Sequence, residues 1–209
     1  SLSLRIPFQT LQNHAARIAR SGQLPPAGFG AREQARLVNL LTPVWQQWQA
    51  LQTAWPENAD KATLCFIHGE VVLEDWLDGL RSNGHERVWL QLEPAILCDK
   101  RGFPRGDKLI LPWLRQLAAS ACDLSMGGIV VGRDAVLHLP PLSGEAARSA
   151  LEAVLHGWQQ GMQEPLPLAC KTALAYLAKP ALAAKTYQGD DYRQAGEVAD
   201  ACLARVYPD

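Results

Sequence analysis

The 209-residue chain lacks a paired cysteine motif, a long apolar run, a glycine-rich phosphate loop and any sizeable net charge. Its five cysteines, Cys65, Cys98, Cys122, Cys170 and Cys202, stand singly, with no CxxC and no histidine at ligand spacing. That pattern points away from zinc and from a disulfide framework, and toward buried free thiols in a reducing cytoplasm. No apolar stretch approaches the ~20 residues of a membrane span, and no signal-peptide pattern opens the chain. A soluble, cytoplasmic protein with no membrane partner is therefore expected. Without a P-loop, ATP hydrolysis has no place in this segment. A net charge of -1 leaves no overall footprint for nucleic acid, so any DNA contact must come from a local patch or a larger assembly.

What is present suits a globular fold: 48% of residues are apolar and 20% charged. The length allows one full-sized domain with a small helical annex. Residues 1–60 look like a helical arm. Phe8, Leu11, Ala15, Ile18 and Ala19 recur at helical spacing, and Ser21-Gly22 closes that element. After a proline-rich link, a long helix is expected over residues 31–55, with Pro43 either kinking it or starting a new helix capped by Thr42. Residues 61–178 change period: strands over 63–67, 71–77 and 88–92, a helix over 109–122, strands over 127–131 and 135–139, and helices over 144–162 and 169–178. Ser143 is the expected cap of the first of those last two helices. Residues 179–209 read as a loop at Gly189-Asp190-Asp191 and a final helix over 193–206.

Strand, turn, strand, turn, strand and then a buried helix is the order found in metal-dependent DNA-cutting domains of the restriction-endonuclease (PD-(D/E)xK) type. The expected fold class is therefore α+β, a degenerate core of that type with a helical N-terminal arm and packed C-terminal helices. Such cores place an Asp on one strand and an acid, then a Lys two positions on, along the next. Here Asp75 and Asp78 end the second strand, but the third offers Gln91 and Glu93. Gln is a poor Mg²⁺ ligand, and Glu in place of Lys adds repulsion where a nucleophile needs activation. No metal site, no cofactor and no catalytic residue are expected. The alternative is a metal-dependent nuclease with a divergent site built from Asp75 or Asp78 with Glu93.

Other candidates carry a bland reading beside a sharp one. Gln116 sits in the helix as a Gln does in related active nucleases of RecB type, but Ser120 replaces the aromatic expected one turn on, which favours a helix-surface Gln. Lys100, Arg101, Arg105 and Lys108 gather four positive charges against Asp99 and Asp107 in a glycine-bearing loop. A solvated loop explains them, and so does a phosphate contact. His68, at a hairpin turn, is a weaker phosphate candidate. Trp76, Trp89, Trp113 and Trp158 are expected in the core. Trp45, Trp48 and Trp55, interleaved with glutamines, fit a subunit interface and an amphipathic core helix equally.

Several segments together resemble the C-terminal domain of the exodeoxyribonuclease V gamma chain, the RecC-type subunit of a helicase–nuclease. They are Gly22-Gln23-Leu24-Pro25 with Phe29-Gly30, Leu109-Ile110-Leu111-Pro112-Trp113-Leu114-Arg115-Gln116-Leu117 and Leu139-Pro140-Pro141-Leu142. The strongest is Gly157-Trp158-Gln159-Gln160-Gly161-Met162-Gln163-Glu164-Pro165-Leu166-Pro167-Leu168, and Leu203-Ala204-Arg205-Val206-Tyr207-Pro208 closes the series. The motifs span nearly the whole chain in order; the basic loop over 99–108 departs from the pattern, and a piece of a longer protein is expected. The resemblance implies a nuclease-like fold without a catalytic centre. It also implies RecB-type and RecD-type helicase and nuclease subunits as partners, and DNA met within that complex during double-strand break repair.

Overall fold

The computed structural model describes residues 8–26, 28–100, 102–190 and 194–206. The fold is α+β, built on a mixed five-stranded sheet. Two helices open the chain, α1 (Phe8–Arg20) and α2 (Gly28–Ala54). Pro43 neither ends nor restarts α2, and Thr42 does not cap a new helix. Its hydroxyl instead donates back to the Val38 carbonyl at 2.7 Å. Pro43 itself cannot donate to the carbonyl four residues earlier, so the helix tolerates one missing bond at an exposed position.

The strands that follow are β1 (Glu57–Asn58), β2 (Ala62–His68), β3 (Val71–Leu77), β4 (Leu80–Ser82) and β5 (Arg87–Leu92). A crossover through α3 (Gly106–Ala121) leads to β6 (Gly127–Val131) and β7 (Val136–Leu139). The sheet runs β1-β4-β5-β6-β7, with β5 and β6 parallel and the other pairs antiparallel. Two parts differ from the sequence expectation. The β2–β3 hairpin is hydrogen-bonded apart from this sheet, and the chain passes from it through Asp78-Gly79 into the short sheet strand β4. Residues 57–58, expected in the helical arm, form the sheet edge.

Gly79 explains how the chain passes from hairpin to sheet. Its φ of 69° is left-handed, its carbonyl accepts from the Leu90 N–H at 2.9 Å, and a Cβ there would lie 2.6 Å from the Leu90 carbonyl oxygen. Only glycine allows the strand to bend this close to β5.

Alternation along β5 splits the core into two layers. Val88 and Leu90 pack with Ile129 against Trp48, Leu51 and Trp55 of the arm. Trp89 faces the other way, fully buried with Leu117, Val130 and Ala118, and its ring lies across Gly128 where any Cβ would collide. Burying such an aromatic stabilises the fold by roughly 2–3 kcal/mol. The arm is fastened further by Arg81, whose guanidinium donates to the Trp55 carbonyl at 3.0 Å.

Helix α4 (Gly144–Gln163) covers α3 from outside through Ala147, Leu151 and Leu155. Ser143 caps it as expected, accepting from the Ala146 N–H. Then come α5 (Cys170–Ala178), α6 (Ala183–Gln188), a two-stranded ribbon of β8 (Gly189–Asp190) and β9 (Gln194–Ala195), and α7 (Ala201–Val206). The final helix is thus much shorter than expected, because Gly196 and a 3-10 turn over Glu197–Ala199 interrupt it. Among the described residues no helix is long and apolar enough to cross a membrane.

Candidate functional site

Asp78 sits at the bend between β3 and β4, so Gly79 pairing with Leu90 brings it beside the end of β5. Gln91 lies on the same face of β5 as Trp89, the face turned toward α3. From α3, Arg115 reaches both. Its Nη1 is 3.3 Å from Asp78 Oδ1 and donates to Gln91 Oε1 at 3.5 Å, while its Cζ lies 5.8 Å from the centre of the Trp89 ring. A guanidinium therefore joins the Asp78 bend to the end of β5.

These groups do not fit a divalent cation. One donor is a neutral amide, and the shared space holds a fixed positive charge that would repel a second one. Among the described residues no three His, Cys, Asp or Glu side chains gather in a way that could hold a metal. Asp75 lines the groove around these groups but, among the described residues, is bonded to neither Arg115 nor Gln91; it accepts its neighbour Trp76's backbone N–H at 2.7 Å. Glu93 lies beyond the strand, its N–H donating to the Val131 carbonyl at 2.9 Å, and it does not line the groove that Asp78, Gln91 and Arg115 share.

Gln116, expected on the helix surface, is buried at 2% exposure. Its Oε1 accepts from Trp89 Nε1 at 2.8 Å, and its Nε2 donates to the Met126 carbonyl at 2.9 Å and to Ser120 Oγ at 3.2 Å. The indole can only donate and the carbonyl can only accept, so the amide's orientation is forced. Ser120 Oγ also accepts the Leu142 N–H at 3.1 Å, which extends the network to the segment after β7. Consecutive residues on a helix point about 100° apart, so Arg115 faces the groove while Gln116 faces the core.

The basic loop is a tight hairpin. Cys98 bridges to Pro104, the Asp99 N–H donates to the Phe103 carbonyl at 2.8 Å, and the Arg105 N–H donates to the Leu97 carbonyl at 2.7 Å. Asp134 anchors its base by accepting the N–H groups of Leu97 and Cys98 at 2.7 and 2.9 Å. Burial pushes the Asp134 carboxyl up, but these bonds, its own N–H and the nearby Arg133 outweigh that and hold it below the ordinary range. Two of the four cations are occupied locally: Arg105 Nη2 lies 2.9 Å and Lys108 Nζ 3.8 Å from Asp107 Oδ2. Lys100 is exposed, and Arg101 lies outside the described residues.

Other expectations change. Trp89 is core, but Trp76, Trp113 and Trp158 are exposed, because each lies on an element face that no neighbouring element covers. Trp48 and Trp55 are used inside the molecule, against the sheet; Trp45 is half-buried on the same helix. None of the five cysteines is fully buried; Cys65, Cys170 and Cys202 are exposed. His68 lies with Nδ1 3.8 Å from Glu152 Oε1, linking the hairpin to α4. Sequence reasoning missed Arg115, although it was visible as the only charge in α3 beyond its first turn.

No curated protein sequence matches the chain. A solved structure titled "Crystal structure of SSO0001" is similar over 80% of this chain and 81% of that one, at 11% identity and a TM-score of 0.34, which is too slight a likeness to argue from. Residues 2–181 match the family model described as the RecC C-terminal domain, and the chain belongs to that family.

Proposed function

We propose that this domain is a non-catalytic part of a RecC-type gamma chain, with a degenerate restriction-endonuclease-like core. It scaffolds the RecB-type and RecD-type helicase and nuclease subunits and guides separated DNA strands in a cytoplasmic double-strand break repair complex. Membership of the RecC C-terminal domain family supports the setting. The topology supports the core: a hairpin, a bend bearing Asp78, an antiparallel strand, a crossover helix and a parallel strand. The observation that carries the non-catalytic reading is the Arg115 guanidinium between Asp78 and Gln91. A metal-dependent nuclease needs converging oxygens and an activated water at that point, and here an arginine and an amide occupy it. ATP hydrolysis and phosphodiester cleavage then belong to the partner subunits.

The basic loop is a secondary contact at most. With Arg105 and Lys108 sharing Asp107, the cations beyond those two are Lys100 and Arg101. The test is assembly. A gamma chain lacking this domain is expected to lose co-purification with its helicase and nuclease partners. The domain with Mg²⁺ or Mn²⁺ is expected to leave linear DNA intact. Assembly unimpaired by the deletion, or cleavage abolished by Asp78→Ala, would overturn the reading.

A further inference from the structure

The groove around Arg115 is open and carries more than the degenerate ligand positions. It is roughly 680 Å³ in volume and lies between the hairpin, the end of β5 and the middle of α3. Its apolar lining includes Leu73, Trp76, Leu92 and Leu111. Three of these are well exposed: Leu111 at 76%, Trp76 at 51% and Leu92 at 49%. Large apolar side chains grouped at the mouth of one groove mark a contact surface more than scattered single ones do.

Charge decides between the macromolecules such a groove could take. Glu74, Asp75 and Asp78 line it against one guanidinium, Arg115, which is already engaged with Asp78. A nucleic-acid strand brings a phosphate per nucleotide and needs a cationic track with open aromatic faces for stacking. Here the lining carries an acidic excess. The aromatic ring available, Trp76, has one face taken by Lys61, whose Nζ sits 4.1 Å from the ring centre. Lys61 itself lies outside the groove lining.

The geometry points to a protein ligand: we infer that this groove docks a cationic, amphipathic segment of a partner subunit, its apolar residues seated on Leu92, Leu111 and Trp76 and its Lys or Arg side chains facing Glu74, Asp75 and Asp78. The cleft position that a nuclease would give to DNA is thereby turned over to a polypeptide. Acid opposite base adds orientation and speed to such docking, while the apolar anchors supply most of its strength. The inference rests on the scaffold reading and specifies where one contact lies.

A photo-crosslinking residue placed at Leu111 of the full gamma chain, in the purified complex bound to forked DNA, tests this. The expected product is an adduct with a protein subunit; an adduct with DNA, or none, overturns the inference. Independently, Leu111→Glu and the pair Glu74→Lys with Asp75→Lys change exposed side chains, so circular dichroism should stay native. Affinity of the gamma chain for its partners should fall at least about tenfold, the effect of losing a central apolar anchor or reversing complementary charge. Unchanged affinity in both variants sinks the groove assignment alone, because the scaffold reading stands or falls with deletion of the whole domain.

Discussion

Replacing Gln116 by Leu is the sharpest test of what holds this fold around its groove. The substitution keeps the side chain's approximate size and removes all three hydrogen bonds made by the amide. The main loss is at Trp89, which is fully buried, so its indole N–H would have neither Gln116 nor water to donate to. An orphaned buried donor costs about 1–3 kcal/mol. The Met126 carbonyl, also buried, loses its bond from the amide for about 1 kcal/mol more. Ser120 still accepts from Leu142, so little is lost there. Against this, a buried Leu in place of an amide returns roughly 1 kcal/mol of transfer energy. The net expectation is a loss of about 1–3 kcal/mol, read in urea as a lower midpoint with an unchanged slope. In a domain of this size that lowers Tm by roughly 2–12 °C. Adding Trp89→Phe removes the orphaned donor, so the double variant should lose less than the two single losses combined. A Gln116→Leu cost below about 1 kcal/mol, or strict additivity with Trp89→Phe, would refute the argument.

Arg115 gives a contrasting expectation. Its partner Asp78 is mostly exposed, so Arg115→Met should cost under about 1 kcal/mol, but Arg115→Met with Gln91→Glu should acquire a Mn²⁺-dependent rise in Tm. An equal rise in the unaltered protein would show that the guanidinium does not displace a cation. Glu197 predicts a pH effect at the other end of the molecule, where its carboxylate accepts the Lys171 and Thr172 N–H groups at 2.9 and 2.7 Å and caps α5. Burial pushes its pKa up, but those two backbone bonds, the adjacent Thr172 side chain and the nearby Lys171 hold it below the ordinary 4.5, so the cap contributes fully above that value and is lost as pH falls through the lowered one. Hydrogen exchange at the two amides should accelerate across that acid window, and Glu197→Gln should remove that dependence; exchange that never responds to acid would rule the cap out.

Much of the fold was legible because its signals are local. Alternation marked the β2–β3 hairpin, turn residues bounded β5, and Ser143 marked the start of α4, where it accepts from Ala146. The strand β4 was missed because three residues between Asp78-Gly79 and Asn83-Gly84 carry too little pattern to separate from a turn. Gln116 was misplaced for a deeper reason. A glutamine in a helix reads as surface unless a buried donor awaits it, and that donor, Trp89, lies 27 residues away on another strand. Trp113 and Trp158 were misplaced in the opposite direction, since a helix with apolar residues on several sides does not disclose which side stays uncovered. At the candidate site, the sequence located Asp78 and Gln91 but not the side chain that joins them, because Arg115 comes from the crossover helix, 24 residues along the chain from Gln91.

Arg115 and its neighbour Gln116 together account for how α3 is held against β5. The carboxylate at the Asp78 bend is mostly exposed and solvated, so the Arg115 guanidinium orients it without being needed to compensate its charge. Helix α3 supplies that guanidinium, and the next residue, Gln116, fixes the same helix to Trp89 from the other side. The two side chains hold one turn of α3 against β5 from opposite directions, one by charge at the groove and one by hydrogen bonds in the core. The strength of the pair is unequal: the exposed ion pair contributes little, and the buried amide a great deal. Groove residues can therefore change with little cost to stability, whereas the pin beneath them cannot. A surface free to vary over a rigid support is what a docking function requires, and it is the arrangement these two adjacent residues create.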